Sequence, residues 1–209
     1  MQQPHKSPFY VIQEFIPPML CEDIVDDLNL LTPDTDKDDN PIKSVKFNEY
    51  GQGAIFERLE PMIPQVEQYF GFEYAGTEQM AFEWLPEGCA GIDPHCENSM
   101  FLRKKWVKTR NRDITGIIFF HDYQQKTPFD TDYEVYGGKL EFIQHKFGFN
   151  PERGTLILFP SGPHFVNNSV GIKVGDLVQA RIHLAAKTPY LYNPKNFPGD
   201  YRTWFQHLA

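Results

Sequence analysis

Cysteine is scarce in this 209-residue chain: Cys21, Cys89 and Cys96 are the full set. The number is odd and no two stand at a C-x-x-C spacing, which argues against a disulfide framework and fits a reducing compartment. Long apolar runs are lacking too. Gln13 and Glu14 interrupt the segment Phe9–Ile16, so no signal-peptide core is present, and no stretch approaches the ~18 residues needed to span a bilayer. Positive charge is in deficit: 20 Lys and Arg against 28 Asp and Glu leave a net charge of −8. That balance disfavours general binding to a phosphate backbone, and so nucleic acid as a partner. There is no internal repeat. These absences define the expectation of a soluble, cytoplasmic protein without membrane association; they leave its oligomeric state open.

What the chain does contain is core. Hydrophobic residues make up 41% and aromatic residues 15% of it, enough to bury a sizeable interior rather than remain disordered. The length suits one domain over 1–209. It divides into an N-terminal helical support (about 9–75), a β core (about 79–186) and a C-terminal extension (187–209) that wraps the surface.

Phe9–Phe15 reads as a short strand. Pro17-Pro18 opens a helix with Leu20, Ile24, Leu28 and Leu31 on one stripe, at spacings of three or four. Pro33–Pro41 is acidic and turn-rich, as in a loop. A second stripe runs Ile55, Leu59, Ile63, Val66, Phe70, and Pro61 and Pro64 inside it predict a kink or two short helices. From Gln79 the texture turns to β. Met80, Phe82 and Trp84 alternate with Ala81, Glu83 and Leu85. Ile114–Phe120 is nearly continuous in apolar residues, as in a strand buried on both faces. Lys139–Phe147, Thr155–Phe159, His164–Asn167 and Asp176–Ala185 are further strand candidates, and Val170–Gly175 reads as a long turn. Short strands parted by Gly and Pro turns predict a sandwich or barrel, mainly β with flanking helices.

The chemistry-bearing stretch is Pro94–His183. Residues i and i+2 of a strand share a side, so His95 and Glu97 can reach one ion together and His164 can complete a face of three. Two His and one carboxylate with open positions is the pattern of non-haem Fe(II) oxygenases. Cys96 points to the opposite side and reads as a packed small residue. His5, His121, His145, His183 and His207 read as surface or satisfied core positions, with His121 the nearest to a pocket. Arg103-Lys104-Lys105, Lys108, Arg110 and Arg112 form a basic cluster in an acidic chain, read as a solvated strand pair near the site's mouth or as a means of steering an acidic peptide or nucleic acid strand. The acidic, aromatic loop Phe129–Tyr136 is either a substrate lid or an ordinary long hairpin loop.

The order of motifs resembles the Fe(II)/2-oxoglutarate dioxygenases, and within them the prolyl 4-hydroxylase-like group. The resemblance rests on Trp84-Leu85-Pro86-Glu87-Gly88, His95–Glu97, Ile114–Phe120, Gly137-Gly138-Lys139-Leu140-Glu141-Phe142, Pro151–Pro160, His164 and Arg181, and covers residues 9 to 186. It implies a double-stranded β-helix (a cupin-like jelly roll) with Fe(II) on His95, Glu97 and His164. It further implies 2-oxoglutarate as cosubstrate, O2 as oxidant and ascorbate as an auxiliary reductant. The activity implied is hydroxylation of a prolyl or other protein side chain with release of succinate and CO2. The alternatives are a cupin-like interaction module without oxidative turnover and an oxygenase acting on a nucleobase or metabolite. Phe119, Ile117 and Trp84 are implied to line the cosubstrate. Its distal carboxylate has two candidate partners. Lys173 lies nine positions after His164, the family's usual interval of nine or ten. Arg181 stands on the polar side of an alternating strand and offers a bidentate fork. Arg112, His121, Tyr133 and Tyr136 are substrate-side candidates. The chain departs from the group's pattern in three places: Glu97 stands where Asp is usual, and Trp84 and Phe119 stand at positions often held by Tyr.

Overall fold

The longest strand has two different sides, and both are enclosed. The computed structural model describes residues 6–30, 44–46 and 49–206. In it Leu177–Ala186 forms one strand (β16), buried at every position except Ala185. Its even positions Val178, Ala180, Ile182 and Leu184 are apolar, whereas Gln179, Arg181 and His183 among its odd positions are polar. Because strand side chains alternate between faces, this sequence demands an apolar layer on one side and a polar, partnered one on the other.

The chain supplies both layers. Its early elements are β1 (Tyr10–Ile12), α1 (Pro18–Asn29), β2 (Ser44–Lys46), α2 (Glu49–Leu59), α3 (Ile63–Phe70), β3 (Tyr74–Thr77), β4 (Ala81–Leu85) and β5 (Gly91–His95). The hairpin β6 (Ser99–Leu102) and β7 (Lys105–Lys108) follows, then β8 (Ile114–Phe119), β9 (Asp122–Tyr123), β10 (Glu134–Gly137), β11 (Leu140–Phe142) and β12 (Phe147–Phe149). β13 (Leu156–Pro160), β14 (Asn167–Val170), β15 (Ile172–Val174), β16 and a short α4 (Tyr201–Trp204) complete the order. One sheet runs β1-β13-β8-β16-β4-β2, with β3 also on β16, and a second runs β12-β11-β14-β5. Pairing within both sheets is antiparallel. The even side of β16 packs with Phe82 and Ile118 against Ile24, Leu28, Ile55, Val66 and Phe70 of the helices. On the odd side Leu177, Ile117 and Phe119 join Leu140, Phe142 and Phe149 of the second sheet. Two facing sheets with helices outside the larger one make the double-stranded β-helix, as the motif order implied. No helix among the described residues is long and apolar enough to cross a membrane.

Local chemistry sets the element ends. Pro18 stands in the first turn of α1, where its missing N–H costs nothing. Pro61 breaks the second stripe: α2 stops, a 3-10 turn covers Glu60–Met62, and α3 restarts with Pro64 in its first turn. Gly71 ends α3 in the left-handed region at φ 77, as a helix C-terminus favours. Three expectations give way. Lys139–Phe147 is two short strands around a 3-10 turn at Ile143–His145. Val170–Gly175 contains β15 rather than only a turn. His164–Asn167 is not a strand: Pro163 opens a 3-10 turn over Pro163–Phe165, and β14 starts only at Asn167. Leu31 and the Pro33–Pro41 loop lie outside the described residues.

Candidate functional site

β5 delivers the first two residues. It can start only at a glycine. Gly91 has φ +87, and a Cβ there would meet the Ser169 carbonyl oxygen of β14 at 2.1 Å. Close approach of these backbones brings His95 opposite Asn167. The next residues are pinned to the end of β13: the Asn98 N–H donates to the Ser161 carbonyl at 3.3 Å, as does the Cys96 thiol at 3.3 Å. Cys96 thus turns from its neighbours, and burial pushes its pKa up. Glu97 points inward and is only 4% exposed.

Around Glu97 the structure assembles a closed polar cluster. Arg181 Nη1 donates to Glu97 Oε1 at 2.5 Å, and Arg181 Nε to Glu83 Oε2 at 2.8 Å. Gln179 Nε2 shares that Glu83 oxygen at 2.6 Å. Asn167 Nδ2 donates to Glu97 Oε1 at 3.3 Å and to the Phe165 carbonyl at 3.2 Å. His183 Nε2 and Arg112 Nη1 stand 3.9 and 4.0 Å from Glu97 Oε2. Thr115 Oγ1, 3.1 Å from His183 Nδ1 and 2.7 Å from Ser161 Oγ, orients that ring.

His95 fixes the logic of the cluster. Its Nδ1 lies 2.9 Å from the Asp93 carbonyl, which can only accept, so Nδ1 carries a proton. Its Nε2 is 3.0 Å from Glu97 Oε1. Arg181 Nη1 stands beside both, 3.4 Å from His95 Nε2. Burial raises the Glu97 pKa, but Arg181, then the His95 hydrogen bond and the charges of His95 and His183, more than offset this and hold the carboxyl well below the usual range. Burial likewise disfavours the charged guanidinium, while Glu83 and Glu97 outweigh it and raise the Arg181 pKa. The pair is an internal salt, Glu97 anionic and Arg181 cationic.

The other candidates fall in several places. His164 is exposed on the 3-10 turn, with its ring 5.4 Å from Tyr192, and does not join His95 and Glu97. Pro163 and the turn it opens carry His164 outward, and Asn167 takes the place opposite His95. Ile117 and Phe119 pair with Arg181 and Gln179 and share their inner face. Trp84 pairs with Val178 on the outer, helix-facing side and donates its Nε1–H to Asp176. Lys173 is 3.3 Å from the Tyr136 hydroxyl, at the surface. Arg112 closes the cluster's edge through Glu78, at 2.7 Å. His121 is buried and accepts from the Val178 N–H, at the far end of β8 from Glu97, and the Tyr133 hydroxyl donates to Asp26. Among the described residues no group of three His, Cys, Asp or Glu side chains converges as a metal site. Sequence reasoning missed Asn167, Glu83 and His183. The alternation of β16 that marked Arg181 also marked His183, two positions on.

No protein-family model matches the sequence, and no curated protein does. Solved structures do. A viral collagen prolyl hydroxylase from Paramecium Bursaria Chlorella virus-1, in complex with 2-oxoglutarate, superposes with a TM-score of 0.62 at 13% identity, over 87% of this chain and 97% of that one. A Pseudomonas putida prolyl-4-hydroxylase gives 0.59 at 15% identity, over 87% and 94%. A Trichoplax adhaerens prolyl hydroxylase, in complex with a hypoxia inducible factor peptide fragment, gives 0.60 at 13%, over 87% and 84%. In fold, then, the chain is similar to prolyl 4-hydroxylases.

The side chains of this pocket do not fit a resident iron in the arrangement described. Two donors, His95 and Glu97, stand together; the third corner holds the neutral amide of Asn167, and Arg181 already provides the cation. The cosubstrate fares similarly. Arg181 gives its Nε to Glu83 and its Nη1 to Glu97, which leaves only Nη2 without a partner among the described residues. Ten residues after Asn167, at the interval the resemblance gives for a basic residue, stands the buried Leu177.

Proposed function

We propose that this prolyl 4-hydroxylase-fold protein works as an interaction module, using the jelly roll to bind a protein or peptide partner without oxidative turnover. The observation that carries this reading is the Arg181–Glu97 contact, which neutralises the carboxylate that a metal would need. A guanidinium on a buried carboxylate is a self-contained pair, stable without an added ion provided its remaining donors are matched. Arg181 meets most of that condition through Glu83; its Nη2 is the one nitrogen without a partner among the described residues.

A second reading has its own support. His95 Nε2 faces Glu97 as two adjacent metal ligands would, and the fold is one that 2-oxoglutarate-dependent prolyl hydroxylases use. On that reading the protein hydroxylates a prolyl or other protein side chain with Fe(II), 2-oxoglutarate and O2, releasing succinate and CO2. The peptide-bound Trichoplax hydroxylase supports a peptide as the substrate class. Lys173 has its amine on the Tyr136 hydroxyl, so the unpartnered Nη2 of Arg181 would be the donor to serve the cosubstrate.

One assay separates the readings. Purified protein with Fe(II), 2-oxoglutarate, ascorbate and air is expected to form no succinate above a heat-denatured control. Anaerobic addition of Fe(II) and 2-oxoglutarate is expected to give no visible charge-transfer band. Succinate, or a gain of ~16 Da on a proline-containing peptide as expected of a hydroxylase, would establish the second reading.

A further inference from the structure

The hairpin β6–β7 is built for contact rather than for solvent. Met100, Phe101, Leu102 and Trp106 are 57%, 60%, 44% and 40% exposed, and the Phe101 and Trp106 rings meet edge to face at 5.4 Å. Its tip, Arg103-Lys104, has φ of 47 and 65, the tight hairpin turn that Asn-Gly adopts with least strain. Two long cations there are a costly local choice. Arg103, Lys104 and Lys105 have no carboxylate partner among the described residues, although the chain as a whole carries −8.

A complementary cavity of about 460 Å³ lies at the other end of the molecule. Asp130 and Asp132 stand on its exposed rim, Glu134 and Asp176 lie further in, and Trp84 and His121 line it as well. His121 is 2% exposed, and its Nδ1 accepts from the Val178 N–H. Its proton therefore sits on Nε2, which has no acceptor among the described residues and can donate to a carbonyl of an incoming chain.

The hairpin and the cavity cannot meet within one chain. The hairpin base is tied to Asp113, just before β8, through Lys108 Nζ at 2.8 Å, whereas His121 lies just after β8. Eight residues of extended chain separate them, roughly 25 Å. We propose that copies of this chain associate head to tail, with the basic, aromatic hairpin of one seated in the acidic cavity of the next. Such a contact is heterologous, so it propagates unless the rotation closes a ring. The buried area is small, and micromolar affinity is the scale to expect. The inference is independent of whether the Glu97 pocket turns over.

Sedimentation velocity of the full chain from about 1 to 100 μM tests it. The weight-average mass is expected to rise above the monomer with concentration and to fall back in high salt. Arg103→Glu/Lys104→Glu and Asp130→Lys/Asp132→Lys, each with unchanged circular dichroism, are each expected to weaken self-association at least tenfold. Mixed in equal amounts, each variant keeps one repelling half; the two altered halves then attract one another, and so do the two native halves, so the mixture is expected to associate again. A wild type that stays monomeric throughout would overturn the proposal, as would association that ignores both variants or a mixture that fails to recover. Binding of single-stranded nucleic acid by a monomeric chain, lost in the hairpin variant, would overturn it in favour of a different partner for the same hairpin.

Discussion

The two sides of β16 solve the problem of burial in opposite ways. Toward the helices, Val178, Ala180, Ile182 and Leu184 belong to one apolar cluster with Ile24, Leu28 and Ile55. Such packing tolerates small changes because each methylene contributes on its own. Toward the second sheet, Gln179, Arg181 and His183 are as deeply buried but survive only by mutual pairing with Glu83, Glu97 and Thr115. The polar side is brittle: remove one member and the others are left charged and dry. Arg181, a side chain of the strand itself, supplies the counter-charge to Glu97.

The sharpest break should come from Arg181→Met. It strands Glu97 without its counter-charge, and loss of one partner of a buried ion pair costs about 3–5 kcal/mol. Urea denaturation should register that loss, and Glu97→Gln in the same chain should recover most of it. If Arg181→Met alone were neutral, the pair would not organise the polar side.

Acid should weaken the fold through histidines outside the cluster. Burial pushes His121 and His145 down to about 4 from an ordinary 6.5. The unfolded chain therefore takes up their protons first. Their contribution is complete above pH 6.5, declines as pH falls to about 4, and changes no further below that. The slope should approach about 1.4 kcal/mol per pH unit for each. A denaturation series with His121→Asn and His145→Asn should flatten in that window.

On the apolar side, Ile182→Val should cost only about 0.5–1.5 kcal/mol, a graded loss that sets the scale for the brittle one. His164→Ala should be the mildest. An exposed ring outside the cluster is worth within about 0.5 kcal/mol, and any metal response of the protein should be untouched by it.

The contrast also explains what the sequence made legible. Period-two alternation over Asp176–Ala185 identified the strand, its buried apolar side and the inward aim of Arg181, because apolar packing is written residue by residue. The glycine and proline turns pointed to a sandwich or barrel, and the jelly roll itself came from the resemblance of the motif order. What Arg181 touches was not legible, since Glu83 arrives from β4 and Glu97 from the bend after β5, both far away in sequence. His164 misled because spacing cannot show that Pro163 starts a helical turn and swings the ring outward. Nothing local distinguishes Asn167, one polar residue beside another, as the residue that β14 sets opposite His95.

The claim that a guanidinium holds the place of a metal is tested most directly by titrating Mn(II) into chelator-stripped protein with 2-oxoglutarate present, followed by electron paramagnetic resonance. Free Mn(II) signal undiminished through one equivalent is the expected result, in the wild type and in His95→Ala alike. One Mn(II) per chain, bound at micromolar concentration and released by His95→Ala, would contradict it and return the pocket to iron.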